Sequence, residues 1–167
     1  MIVIKFINLS LICLVCFYIG ISKAKTYENR VLELSKFQNS LVMFKSKIEF
    51  TYEPINNIFL DISNVIYENK ENFFLETLKK DGEFHKKWNE SIEMFSNNLN
   101  MEDKEIIKMF GKLLGKTDIK GQISQIELTK KLIEKQIEKA EIDKNKNSKL
   151  YKTMGIIFGI GICIILV

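Results

Sequence analysis

The sequence predicts an all-α protein: a bundle of five to six helices flanked by an apolar helix at the N-terminus and a short one at the C-terminus. Three observations carry this. No charged side chain occurs from Phe6 to Ile21 or from Thr153 to Val167, while every Asp and Glu lies between Glu28 and Asp143. The middle is rich in Lys, Glu, Ile and Leu, with apolar residues recurring at steps of three and four. One Pro and 8 Gly in 167 residues leave such helices few interruptions. The expected organisation is an N-terminal membrane helix over 1–22, a cytoplasmic helical domain over 23–152 and a C-terminal membrane helix over 153–167.

The ends read as membrane helices by composition and barely by length. Phe6 to Ile21 spans about 24 Å as a helix, and Met1–Val3 or Ser22 extend it toward the hydrocarbon thickness if Lys5 reaches up to the headgroups. Met154 to Val167 spans about 21 Å, so it must thin the bilayer, lie beside the first helix or begin as early as Leu150 and Tyr151. Gly155 and Gly159 form a GxxxG spacing that lets two membrane helices approach closely, with the N-terminal helix or a partner's helix as the opposing surface. Cys13 and Cys16 make a CxxC, but inside an apolar run a thiolate is costly. With Cys163 they are expected to face lipid or to pack between helices.

Lysines set the expected orientation. Lys23, Lys25 and Arg30 follow the first apolar run, and Lys144, Lys146, Lys149 and Lys152 precede the second, which places the middle on the cytoplasmic side. A rival is a signal peptide cleaved after Ala24, in the small-x-small sequence Ser22-Lys23-Ala24, which would leave a tail-anchored extracytoplasmic module. Lys23 and Lys25 beside the cut favour retention.

The middle resolves into successive amphipathic stripes. Leu34, Phe37, Leu41, Phe44 and Ile48 line one face of a helix from about Tyr27 to Tyr52, and Pro54 starts a second over Ile55–Ile66. A short piece around Phe73, Phe74 and Leu78 stops at Asp81-Gly82, and Phe84, Trp88, Ile92 and Phe95 open a new face. Asn100 is an expected N-cap for a helix that turns Ile106, Ile107, Phe110, Leu113 and Leu114 inward and closes at Gly115. A last helix from Thr117 or Asp118 carries Ile119, Ile123, Ile126, Ile133, Ile137 and Ala140 on a heptad-like seam that Lys130 interrupts. It can run on into the C-terminal apolar segment. The stripes give a bundle whose core the 12 Phe largely fill.

Chemistry is not written into this pattern. With His85 as the one histidine there is no HExxH, no Ser-His-Asp triad and no histidine cluster, and no GxxxxGK[ST] is present. His85 reads as an exposed residue near Trp88. The net charge of +4 comes from basic residues interleaved with acids, which gives no nucleic-acid footprint. No cofactor, metal or catalytic residue is expected. Thr117 or Asp118 reads as the cap of the last helix, and Asp118 with Gln122, one turn on, reads alternatively as part of a docking surface.

Phe110-Gly111-Lys112-Leu113-Leu114-Gly115, followed by Asp118 and Gln122, resembles the FGxxLGxxDxxxQ signature of the stage III sporulation protein AB family. Around it stand the Pro54-Ile55 step, the FxxxW spacing of Phe84 and Trp88, the long charged helix and the short apolar C-terminus. The resemblance implies a non-enzymatic membrane component of the channel between mother cell and forespore during endospore formation. Its domain would be similar to that of type II secretion system F proteins. The implied location is the mother-cell membrane facing the forespore. The implied partners are a stage III sporulation protein AA-like secretion ATPase, other channel components, membrane lipid and, for a platform, a second copy of the chain. Phe110, Gly111, Leu114, Gly115, Asp118 and Gln122 are the implied docking residues.

Overall fold

A computed structural model describes residues 2–68 and 70–166, with side chains described for 10–68, 70–162 and 164. The side chains of Lys5 and Cys163 therefore lie outside the described residues. Among the described residues there are six α-helices: α1 (Ile2–Ser46), α2 (Ile55–Val65), α3 (Phe73–Lys79), α4 (Phe84–Phe95), α5 (Met101–Leu113) and α6 (Ile119–Leu166). No strand occurs among the described residues. The first long helix differs from the expected scheme in being continuous, while the last runs on into the C-terminal segment as its pattern allows. Between Ser22 and Tyr52 there is no Gly or Pro to stop α1, so the apolar run and the first amphipathic stripe form one 45-residue helix. The 48-residue α6 likewise joins the seam to the C-terminal run.

Local chemistry explains each remaining boundary. After α1 the chain makes a π-helical turn over Lys47–Thr51, then turns at Tyr52 in the left-handed region (φ 53). Pro54 precedes α2 as its N-cap, one residue earlier than a first-turn proline. Its carbonyl accepts from the amides of Asn57 and Ile58. Asn72 caps α3 by accepting from the amide of Leu75 at 3.1 Å, and its own amide nitrogen donates to Ser63 Oγ at 2.7 Å. Gly82, at φ +118, separates α3 from α4. Asn100 caps α5 in a reciprocal box with Asp103. Gly115, at φ +75, ends the turn beyond α5.

Two compact units result, one of residues 32–138 and one of 1–31 with 139–167. The divisions fall inside α1 and α6 rather than at the edges of the apolar runs.

The first unit is held by an aromatic core. Phe37, Phe44, Phe59, Phe74, Phe110 and Trp88 are fully buried with Leu34, Leu41, Ile58, Ile62, Ile92 and Ile107. Phe59 meets Phe74 edge-on at 5.0 Å between ring centroids, Trp88 lies 5.5 Å from both Phe73 and Phe74, and Phe110 stands edge-on to Phe44 at 5.7 Å. Trp88 Nε1 donates to the carbonyl oxygen of Ile107 at 3.0 Å, so its polar atom is satisfied in the interior. Burial also raises the Tyr67 phenol. On the rim, Lys47 bridges Glu53 and Asp61 at 3.0 and 2.8 Å. On α6 the buried seam is Ile126, Thr129, Ile133 and Gln136, so two polar residues alternate with two isoleucines. Ile119 is exposed and Ile123 and Ile137 are half-buried.

The second unit packs the other way round. Here the start of α1 and the end of α6 run antiparallel with small residues between them. A methyl added to Gly20 would lie 2.7 Å from the carbonyl oxygen of Tyr151, and one added to Gly155 would lie 3.0 Å from that of Cys16. Ala24 is fully buried. Large apolar side chains point outward: Leu14, Val15, Tyr18, Ile19, Ile157, Phe158, Ile160 and Ile164 are all at least half exposed. Farther along, Tyr27 stacks on Tyr151 at 5.9 Å, and Arg30 Nη1 pairs with Asp143 Oδ2 at 3.0 Å. Among the described residues one helix, the N-terminal one, is long and apolar enough to cross a membrane.

Candidate functional site

The segment from Phe110 to Gln122 divides into an interior half and a surface half. Phe110 is buried between Phe37 and Phe44, with ring centroids 6.0 and 5.7 Å away. Gly111 is a close approach: a Cβ there would lie 2.3 Å from the Trp88 ring. That explains why the FxxxW spacing on α4 and the FG pair on α5 occur together, since the indole occupies the space a side chain would take. Leu114 is buried, and Gly115 supplies the left-handed turn opposite Ile55. These four residues build the bundle and present no side chain for docking.

Asp118 and Gln122 are different. Asp118 is exposed and caps α6, its Oδ1 accepting from the amide of Gly121 at 2.9 Å, as the capping alternative requires. Gln122 Nε2 donates to the Thr117 carbonyl at 3.1 Å, while its Oε1 is enclosed and has no hydrogen-bond partner. Next to it, Gln125 Nε2 donates to the Phe110 carbonyl at 3.1 Å and fastens α6 to the end of α5. The loop between α5 and α6 is therefore fixed from both sides, and of the two residues it is the exposed Asp118 carboxylate that faces solvent, while Gln122 Oε1 is enclosed.

Gly155 and Gly159 of the C-terminal run lie against α1. Gly155 meets Gly20 and Cys16, and Gly159 lies 3.4 Å from Cys13 Sγ measured from an added Cβ, whereas Gly161 has nothing within 4 Å. Cys13 and Cys16 thus serve helix packing. Sequence reasoning missed Gly20 and Ala24 on the facing surface. A small residue every fourth position, Cys16, Gly20 and Ala24, was the available signal.

His85 corrects an expectation. It is half-buried rather than exposed, packs beside Phe84 at 6.0 Å, and encloses Nδ1 without a partner. Among the described residues no group of three or more His, Cys, Asp or Glu could hold a metal ion.

A bundle whose signature residues close its own core, with a helix pair sealed by glycines, defines an all-helical protein. The family model described as stage III sporulation protein AB matches residues 5–167, and the chain belongs to that family. A solved structure of stage III sporulation protein AB superposes with a TM-score of 0.59 at 18% sequence identity, covering 71% of this chain and 98% of that one. At that identity the likeness speaks for the fold. The comparison with curated proteins finds no match.

Proposed function

We propose that this chain is a membrane scaffold of the secretion-like channel between mother cell and forespore, anchored by both ends and docking a secretion-type ATPase on the cytoplasmic side. One observation carries the membrane part. Where Gly20 meets Tyr151 and Gly155, the charge-free run of α1, ending at Ser22, and that of α6, starting at Thr153, have their polar borders at the same level of the antiparallel pair. Two apolar segments that end together suit a hairpin in a bilayer. A soluble protein would have no reason to align them and turn their large side chains outward.

The mechanism in this reading is mechanical. Family membership supports a role in sporulation, and the rigid aromatic core suits a part that holds a motor or receives its motion. Asp118 and Gln122 are the surface members of the signature and carry the docking role, together with the loop that Gln125 fastens. Continuity of α1 through Ser22–Lys25, with Ala24 buried in the pair, favours a retained anchor over a cleaved one.

The test is co-purification of the full chain with the candidate ATPase from detergent extracts of sporulating cells. Asp118→Asn keeps the cap acceptor and removes the charge, and Gln122→Leu removes the bond that its Nε2 donates to the Thr117 carbonyl. Both should reduce recovery of the ATPase at unchanged scaffold level. Full recovery with both substitutions would limit these residues to fixing the loop. Digestion of the bundle by protease added outside intact cells would defeat the cytoplasmic placement.

A further inference from the structure

Within the helix pair, one turn before the charge-free run of α6, lies a cavity of about 430 Å3 lined by Lys144, Asn145, Ser148, Lys149, Lys152 and Thr153 of α6 and by Glu28 of α1. We propose that this cavity binds the phosphate of an anionic lipid headgroup. The inference rests on the membrane reading above and adds to it a defined site.

Spacing places the donors together. Lys144, Ser148 and Lys152 follow one another at four-residue steps, and Asn145, Lys149 and Thr153 form the neighbouring column. Lys144 to Lys152 covers about 12 Å of helix, comparable to a phosphodiester headgroup with its glycerol. Ser148 Oγ donates to Glu28 and Thr153 Oγ1 to the Lys149 carbonyl, so the donors left for phosphate oxygens are the Lys144 and Lys149 ammoniums and the Asn145 amide.

Charge points the same way. Three lysines face one carboxylate, and that carboxylate is committed: Glu28 Oε1 accepts from Lys152 Nζ at 3.0 Å and from Ser148 Oγ at 3.2 Å. Lys144 and Lys149 have no ion pair among the described residues, so a cationic excess remains. In the bundle, by comparison, Lys45, Lys47, Lys80, Lys104 and Lys108 each pair with an acid.

Position selects the source of the phosphate. The cavity reaches Thr153, where the charge-free run begins, and exposed apolar side chains continue from Met154 onward. A lipid can therefore put its headgroup among the lysines and its chains along Ile156, Ile157 and Ile160. A free phosphate would gain nothing from that border. Basic residues just cytoplasmic of a membrane helix attract anionic lipid generally, and here they line one open depression between α1 and α6.

The test uses the full chain in detergent and native mass spectrometry, with phosphatidylglycerol, phosphatidylcholine, and inorganic phosphate as separate probes. The expected result is selective retention of phosphatidylglycerol. Combined Lys144→Gln, Lys149→Gln and Lys152→Gln should weaken it by about 10- to 100-fold. An equal charge removal at the exposed bundle residues Lys86, Lys116 and Lys120 should leave it within about threefold, in line with a local site. Glu28→Gln should tighten binding, because it releases Lys152. Equal retention of the two lipids, equal losses in both triple variants, or unchanged binding after Glu28→Gln would each overturn the proposal. Inorganic phosphate binding as tightly as the lipid would assign the site to a soluble anion and overturn the lipid source. Alkaline extraction from neutral vesicles separates the two claims: a chain that washes off fails as a membrane protein, whereas one that stays but shows no lipid preference fails only here.

Discussion

The bundle and the helix pair use apolar residues in opposite directions. In residues 32–138 the largest side chains, Trp88 and five phenylalanines, are inside, and charged residues such as Lys47, Glu93 and Lys108 ring the outside. In the pair the inside is Gly20, Ala24, Gly155 and Gly159, and the outside is Leu14, Tyr18, Ile157 and Phe158. Under the membrane reading proposed above, each arrangement suits a different solvent. Water drives large apolar groups inward, but lipid is as apolar as they are, so between membrane helices the advantage passes to close backbone approach.

The comparison breaks most readily at Trp88. Trp88→Ala empties the centre of the aromatic network and removes the indole bond to the Ile107 carbonyl, and should cost about 3–5 kcal/mol. Denaturant titration followed by far-UV circular dichroism of the full chain in detergent measures it. Loss of α2–α5 with the pair still helical would sharpen the contrast; simultaneous loss of both units would remove it.

A second test places the same substitution on outwardly similar residues. Ile157 in the pair and Leu128 in the bundle are about equally exposed, at 61% and 59%. Ile157→Lys should lower retention in bilayers by about 2.5–3.5 kcal/mol if that surface faces lipid. Leu128→Lys should stay within about 0.5 kcal/mol of the parent in the unfolding titration. Comparable tolerance of lysine at both sites would mean that both face water.

Between the helices, size should matter more than polarity. Gly155→Leu drives a side chain against the Cys16 carbonyl and Gly20 backbone, which cannot swing aside, and should cost about 1–3 kcal/mol in thermal unfolding of the reconstituted chain. Gly161→Leu meets open space and should change little. Equal effects would show that the pair is not sealed by its glycines.

The same contrast governs how much was legible in the sequence. Leu34, Phe37, Leu41, Phe44 and Ile48, read as one stripe, are all buried, because a water-facing helix must segregate its apolar side chains at the helical period. Asn100 was legible as a cap because three residues later Asp103 completes the box. What escaped depends on partners distant in the chain. Thr129 and Gln136 enter the buried seam of α6 although neither is apolar, and Asn72 caps α3 while bonding Ser63 nine residues earlier. Of the signature, the core roles of Phe110 and Gly111 required knowing where Trp88 lies. The Gly155 and Gly159 spacing was visible, but the surface it meets was not, since GxxxG fits any close-packed helix.

The smallest effect concerns the bundle's charged rim. Glu93 of α4 accepts from Lys104 at 2.7 Å and Lys108 at 2.9 Å on α5, and hydrogen bonds from these two lysines hold its carboxyl down to about 2 from an ordinary 4.5. A carboxylate depressed in the folded state contributes its stability above pH about 4.5 and loses it as pH falls toward about 2. Its side chain is 51% exposed, so water and salt screen the pairs and the effect should stay below about 1 kcal/mol. Glu33 opposes it: burial raises its carboxyl, so its contribution is present at low pH and fades as pH rises past its folded value. Glu93→Gln should therefore flatten the acid side of the stability profile, and Glu33→Gln should flatten the near-neutral side. Melting temperatures from pH 2.5 to 7 measure both. If Glu93→Gln leaves the acid limb as steep as before, the rim carboxylates are merely solvated, and the bundle owes its stability to the aromatic interior alone.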